Sequence, residues 1–163
     1  AVAGFEGKSI ERKAARKAFR LADDQVVYLC IAPGYKLNPD LIKAQVEILK
    51  QVPDSLLMYK GHTGDPEVIQ SAYRQECETM GVGFHRIKFL SFVKTEEEHR
   101  TIYKIADILL DSYPYNGATH TLEALWFNLP VVTRTGEQYL SRMGYSFLKT
   151  LSLSAGIAKT WEE

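Results

Sequence analysis

The chain has 163 residues, room for one domain with a real hydrophobic core. Lys+Arg and Asp+Glu number 20 each, and this balance excludes broad nucleic-acid binding, which takes most of its affinity from a basic excess. No apolar run approaches the roughly 20 residues that cross a bilayer, so no membrane helix is expected.

From the N-terminus, residues 10–21 place Ile10, Ala14, Ala15, Phe19 and Leu21 among basic residues, the pattern of a short amphipathic helix. The preceding Gly7-Lys8-Ser9 is not a P-loop, because Val2 stands where that motif needs a glycine and no strand comes before it. A charged stretch so early does not read as a secretory signal, and a first residue other than Met fits a piece of a longer protein. Residues 26–32 (VVYLCIA) predict a buried strand closed by Pro33 and Gly34. A helix over 41–52 follows, with Pro39 near its start and Pro53-Asp54 after it. Then come a strand over 55–59, a loop at 61–66, a helix over 68–80 ended by Gly81, and a strand over 86–90. Thr95 with Glu98 three residues on predicts a capping box for a helix running to Ile105. A strand over 108–111, a helix over 119–127, a strand over 131–134 and a helical stretch over 139–151 complete the series. Residues 160–163 read as the start of another helix, and Trp126 reads as core beside Leu122.

One helix between each pair of strands predicts an α/β fold, a doubly wound, mostly parallel sheet of about five strands with helices on both faces. Residues 1–163 form a single lobe, with no repeat or linker inside it. In such sheets ligands sit beyond the carboxyl ends of the strands where the order reverses. With the order 3-2-1-4-5, the loop carrying Tyr35 and Lys36 faces the loop carrying Asn116, Gly117, Thr119, His120 and Thr121. That second loop runs from a strand ending at Asp111 into a helix, and the free N–H groups and dipole of a helix start favour a phosphate. Glu123, one turn in, is placed to accept hydrogen bonds from a ribose.

Cys30 reads as a buried hydrophobe and Cys77 as a helical residue. No Cys or Cys/His spacing matches a zinc site, so no structural metal is expected, and the cysteine usage fits a reducing, cytoplasmic setting. Alternative readings stand beside several residues. Lys36 also reads as a solvated loop residue, and His99 as a surface histidine on a charged helix. His62 and His85 read as loop residues, and Glu96, Glu97 and Glu98 as first-turn acids that complement the helix dipole. Tyr113 and Tyr115 pack over the sheet edge, or one of them stacks on a base, and Gly136-Glu137 either turns the chain or touches a sugar.

The segment RIKFLSFVKTEEEHRTIYKIADILLDSYPYNGATHTLEALWFNLPVVTRTGEQYLSRMGYS, with GYKLNPDLIKAQVEILKQVPDSLLMYKG upstream, resembles the C-terminal half of the O-linked N-acetylglucosamine transferases, including their plant (SPINDLY-type) and bacterial relatives. The motifs EEH, AD..LD, NG.T, LW...PVVT and GE...SR occur in the family order. The resemblance implies a GT-B glycosyltransferase, two Rossmann-like halves across a cleft, with the C-terminal half holding the donor. An N-terminal half, tetratricopeptide repeats, a UDP-sugar donor and a protein acceptor are implied elsewhere in the parent chain or as partners. By the same resemblance Lys36 reaches the UDP phosphates, His99 lies near the nucleotide, Thr119 belongs to the phosphate-binding helix start, and Glu123 stands for an aspartate on the ribose. Some positions depart from the pattern. Ala118-Thr119-His120 replaces His-Thr-Thr, Glu96 replaces a lysine, Ile102 an arginine and Pro33 a glutamine.

The expected activity is therefore inverting transfer of N-acetylglucosamine, or another sugar, from a UDP-sugar to a Ser/Thr hydroxyl. No metal cofactor is expected, since the chain has no Asp-x-Asp. The residues do not identify a general base. The alternative is a degenerate, non-catalytic interaction lobe, motivated by the two missing cations. A dinucleotide-binding module needs Gly-x-Gly-x-x-Gly after the first strand, where Ala32-Pro33-Gly34-Tyr35-Lys36 stands instead.

Overall fold

The computed structural model describes residues 3–91 and 95–163. Helix α1 (Ala3–Ala18) leads into β1 (Val27–Ile31), followed by α2 (Pro39–Gln51), β2 (Leu56–Lys60), α3 (Pro66–Met80), β3 (Ile87–Leu90) and α4 (Glu96–Ile105). Then come β4 (Ile108–Leu110), α5 (Thr119–Trp126), β5 (Val131–Arg134), α6 (Met143–Thr150) and β6 (Ile157–Ala158). The strands pair in parallel in the order β3-β2-β1-β4-β5-β6. The expected order 3-2-1-4-5 is present, and β6 adds a sixth strand at the β5 edge. With only two residues, β6 leaves no periodic signal in the sequence.

Alternation along β1 builds two cores, because successive strand side chains point to opposite faces. Val27, Leu29 and Ile31 pack with Ile102, Ile105, Ala124 and Leu148 from α4, α5 and α6. Tyr28 and Cys30 pack with Ile42, Val46, Leu49, Tyr73 and Cys77 from α2 and α3. Burial on both faces explains why β1 and β2 are apolar throughout rather than alternating.

Helix ends follow the local sequence. Asn38 Oδ1 accepts the Leu41 N–H at 3.1 Å, with Pro39 as the first helical residue of α2. Gly81 ends α3 at φ 71°, a left-handed cap that glycine adopts without strain. The Thr95–Glu98 capping box opens α4. A buried arginine ties α1 down. Arg16, 2% exposed, donates to the carbonyls of Ala22, Ile105 and Gln25 and pairs with Asp107, whose other contacts are Arg12 and the Val27 N–H. One cation thus joins α1 to the start of β1 and the end of α4.

Several expectations are corrected. The first helix ends at Ala18, and Phe19 and Leu21 follow it in a turn that packs on the core; the Ile10 side chain lies outside the described residues. Residues 139–151 divide into a 3-10 turn, Tyr139–Ser141, and α6. Residues 160 and 161 form a bend and 162–163 are irregular, so no helix starts there. Trp126 is 85% exposed, not core. The short α5 turns Thr121 and Ala124 inward, so Leu122 and Trp126, four apart, share the outer face. On β5, Val131 and Thr133 are buried while Val132 is exposed. A groove of about 580 Å³ lies on that side, lined by Leu41, Ala44 and Ile48 of α2 with Leu110, Val132 and Trp161.

Candidate functional site

The candidate residues gather at the carboxyl ends of the strands. After β4, Asp111 organises the loop that leads to α5. Its Oδ1 accepts the Gly117 N–H at 2.7 Å and its Oδ2 accepts the Thr133 hydroxyl of β5 at 2.8 Å. The fully buried Asn116 donates its side-chain amide to Ser112 O at 2.7 Å and its backbone N–H to Leu140 O at 2.9 Å. Thr121 Oγ1 donates back to Gly117 O at 3.0 Å. A Cβ at Gly117 would lie 2.9 Å from Thr121 Oγ1 and 3.3 Å from Asp111 Oδ1, so this close approach needs glycine.

Of the amides of residues 116–121 expected to face an anion, those of Asn116 and Gly117 are therefore consumed inside the loop. Among the described residues, the N–H groups of Ala118, Thr119, His120 and Thr121 make no intramolecular hydrogen bond. Ala118 and Thr119 are exposed. These are the orphan donors of a helix start.

Burial pushes the Asp111 carboxyl up to about 6, against the pull of the Gly117 N–H, the Thr133 hydroxyl, the Ser112 backbone and the Lys36 charge. Its folded pKa lies above the unfolded value of about 3.9, so folding favours the protonated form. The stability from this group is present below about pH 4 and is lost as the pH rises through about 6. Asp111→Asn removes that dependence. Urea unfolding at pH 4 and pH 7 should show the wild type losing about 2–3 kcal/mol relative to the variant over that interval. A difference independent of pH would show that the carboxyl is not buried as described.

Across from this loop, the 3-10 turn Gly34–Lys36 follows β1. Lys36 Nζ donates to Asn116 O at 3.0 Å and stands 3.7 Å over the Tyr115 ring. Partial burial lowers its pKa and the Asp111 charge opposes that shift. Lys36 and the start of α5 thus stand together, as the strand order requires.

A second cluster joins α4 and α5. Tyr103 donates its hydroxyl to Glu123 Oε2 at 2.6 Å, and its ring stacks on Phe127 with an interplanar angle of 7°. His99 Nε2 lies 3.4 Å from the same oxygen. Lys60, at the end of β2 and 9% exposed, contacts His99 Nδ1 at 2.8 Å. An ammonium can only donate. His99 Nδ1 therefore accepts, which leaves the ring proton on Nε2, aimed at Glu123. Burial raises the Glu123 pKa, but the Tyr103 hydroxyl and the nearby imidazoles outweigh it, so the carboxyl stays below its ordinary value. Burial lowers the Lys60 pKa, with Glu123 and Glu98 opposing. His120 Nδ1 is buried without a hydrogen-bond partner, 3.8 Å from Glu123 Oε2, and burial lowers its pKa despite that carboxylate.

Lys60 is absent from the residues the sequence nominates. It ends an apolar strand 39 positions before His99, and only the juxtaposition of strand end and helix start shows it. Ile102, where the resemblance places arginine, is 2% exposed in the core, and Glu96 pairs with Arg100 one turn on. Tyr113 packs edge-on against Trp161, and Arg134 covers both rings. Gly136 turns the chain, donating its N–H to Ser141 O at 2.9 Å.

The model of glycosyl transferase family 41 matches residues 2–163. A UDP-N-acetylglucosamine--peptide N-acetylglucosaminyltransferase of Caenorhabditis elegans is 32% identical over 151 residues, covering 91% of this chain and 13% of that protein. A Solanum lycopersicum protein described as "Probable UDP-N-acetylglucosamine--peptide N-acetylglucosaminyltransferase SPINDLY" is 30% identical over 128 residues, 78% of this chain and 14% of that one. A solved mutant of the Thermobaculum terrenum O-GlcNAc transferase superposes with a TM-score of 0.77 at 31% identity, covering 86% of this chain and 27% of that structure. The chain spans about 14% of the length of such curated relatives. It belongs to glycosyl transferase family 41 and is folded as the C-terminal, Rossmann-like lobe of an O-GlcNAc transferase-type GT-B glycosyltransferase.

Proposed function

We propose that this lobe holds the UDP part of a nucleotide-sugar donor and that the intact protein transfers the sugar, N-acetylglucosamine or a relative of it, to a protein Ser/Thr hydroxyl. The observation that carries this reading is the contact of Lys36 Nζ with Asn116 O, which sets an amine beside the unpaired N–H groups at the start of α5. A diphosphate there meets a charge-assisted donor and a helix dipole together. Thr119 and His120 border it, and Glu123, with Oε2 already taken by Tyr103, offers its other oxygen to the ribose. His99 orients that carboxylate, and Lys60 orients His99.

In the reaction the acceptor hydroxyl attacks the anomeric carbon from the face opposite UDP, the bond from that carbon to the UDP oxygen breaks with inversion, and the hydroxyl proton passes to a base on the other half or to a donor phosphate oxygen. Lys36 and the free N–H groups stabilise the departing diphosphate, and the site positions the donor without a divalent metal. The acceptor side belongs to an N-terminal half in the parent chain, which we place, with tetratricopeptide repeats, in the cytoplasm. The lobe by itself should therefore bind donor without turnover.

Calorimetric titration with UDP tests the reading, with saturable heat expected below millimolar concentration. Absence of heat at millimolar UDP would overturn it in favour of a degenerate interaction lobe. That second reading draws on Ile102, whose core position leaves no room for an outward-facing cation. Lys60 returns one cation to the same region.

A further inference from the structure

We propose that His99, His120 and Glu123 form a binding site for a divalent transition-metal ion of the zinc class. One nitrogen from each imidazole and one carboxylate oxygen lie within 4.8 Å of one another. His99 Nε2 and His120 Nδ1 stand 3.4 and 3.8 Å from Glu123 Oε2. Tetrahedral coordination at bond lengths near 2.0–2.1 Å places ligand atoms about 3.3 Å apart, so small rotations complete the set. Two imidazoles and a carboxylate suit zinc, cobalt, nickel or copper and do not suit magnesium or calcium, which take oxygen ligands. Each of the three residues is partly buried.

Two further observations point to a ligand. The buried His120 Nδ1 has no hydrogen-bond partner and faces the carboxylate, a costly arrangement for a polar atom with nothing to bind. The carboxylate is also held in place by the Tyr103 hydroxyl at 2.6 Å, the kind of outer contact that fixes a metal ligand.

The same geometry contains a brake. Lys60 donates to His99 Nδ1 and so keeps a proton on Nε2, where the ion must bind. Its charge also stands one imidazole away from the incoming cation. Removing the ammonium should favour the ion, a direction that general loss of structure would not produce.

The test is titration of the purified protein with Zn2+ by calorimetry, and with Co2+ by visible absorption. One equivalent of metal should bind, and Mg2+ should not. His120→Ala should weaken binding by at least about tenfold with an unchanged circular dichroism spectrum, and Lys60→Met should tighten it. Equal affinity in the wild type and His120→Ala, no Zn2+ binding below millimolar concentration, or weaker binding in Lys60→Met would each overturn the site.

Discussion

Lys36→Ala in the intact protein is expected to weaken UDP binding and donor kcat/KM by about 2 kcal/mol, roughly 30-fold, the loss that follows removal of a charge-assisted contact from a partly buried site. Among the described residues the amine has one hydrogen-bond acceptor, Asn116 O, and a face of Tyr115 beneath it. These contacts aim the amine and do not neutralise it, so the charge remains available to an anion. The stability change should be small by comparison, under about 1 kcal/mol, because the turn that carries Lys36 contains no buried residue. Paired measurements of UDP affinity and urea midpoint separate the two effects. Unchanged donor kinetics would remove Lys36 from the site.

Arg16→Met should instead act on folding, lowering the unfolding free energy by about 3 kcal/mol. The methionine fills much of the space, but three carbonyls lose a donor and Asp107 loses one of two cations. Arg12 stays beside the half-exposed Asp107, which keeps the loss at the lower end for a broken buried pair. Urea unfolding at constant m-value reads this directly. UDP affinity measured under native conditions should not change, since Arg16 contacts residues that precede β1 and β4 while the candidate site follows them. A loss below about 1 kcal/mol would mean that α1 is not anchored through this residue.

The legible parts of this chain were those whose signals are local. Thr95 and Glu98 are three apart, and each satisfies an N–H of the other's segment, so the capping box of α4 could be read from spacing alone. The apolar runs of β1 and β2 reported burial on both faces. Parallel pairing follows from the alternation of strands and helices, whereas the strand order does not. What escaped was set by tertiary geometry. Trp126 reads as core from the helix face it shares with Leu122, yet α5 turns Thr121 and Ala124 inward and leaves that face in solvent. The amides of Asn116 and Gly117 were assigned to a ligand because loop residues near a helix start usually face outward. Asp111 and Leu140, whose reach cannot be inferred from position, had already taken them. Lys60 and His99 meet only because β2 ends beside the first turn of α4.

The loop after β4 divides its residues into two kinds. Asp111, Asn116, Gly117 and Thr121 bond to one another and to their neighbours, and a change at any of them disturbs the scaffold. Ala118 and Thr119 are exposed, and His120 is partly so, with no hydrogen bond from its side chain to that scaffold. Two of these three outward positions, Ala118 and His120, are where the sequence departs from the pattern the family resemblance implies. Such a partition makes the lobe evolvable: drift and selection can rewrite residues 118–120 while the frame stays intact. A mutant library meant to probe the proposed donor site belongs at those three codons, whose side chains take no part in the hydrogen bonds that hold the loop.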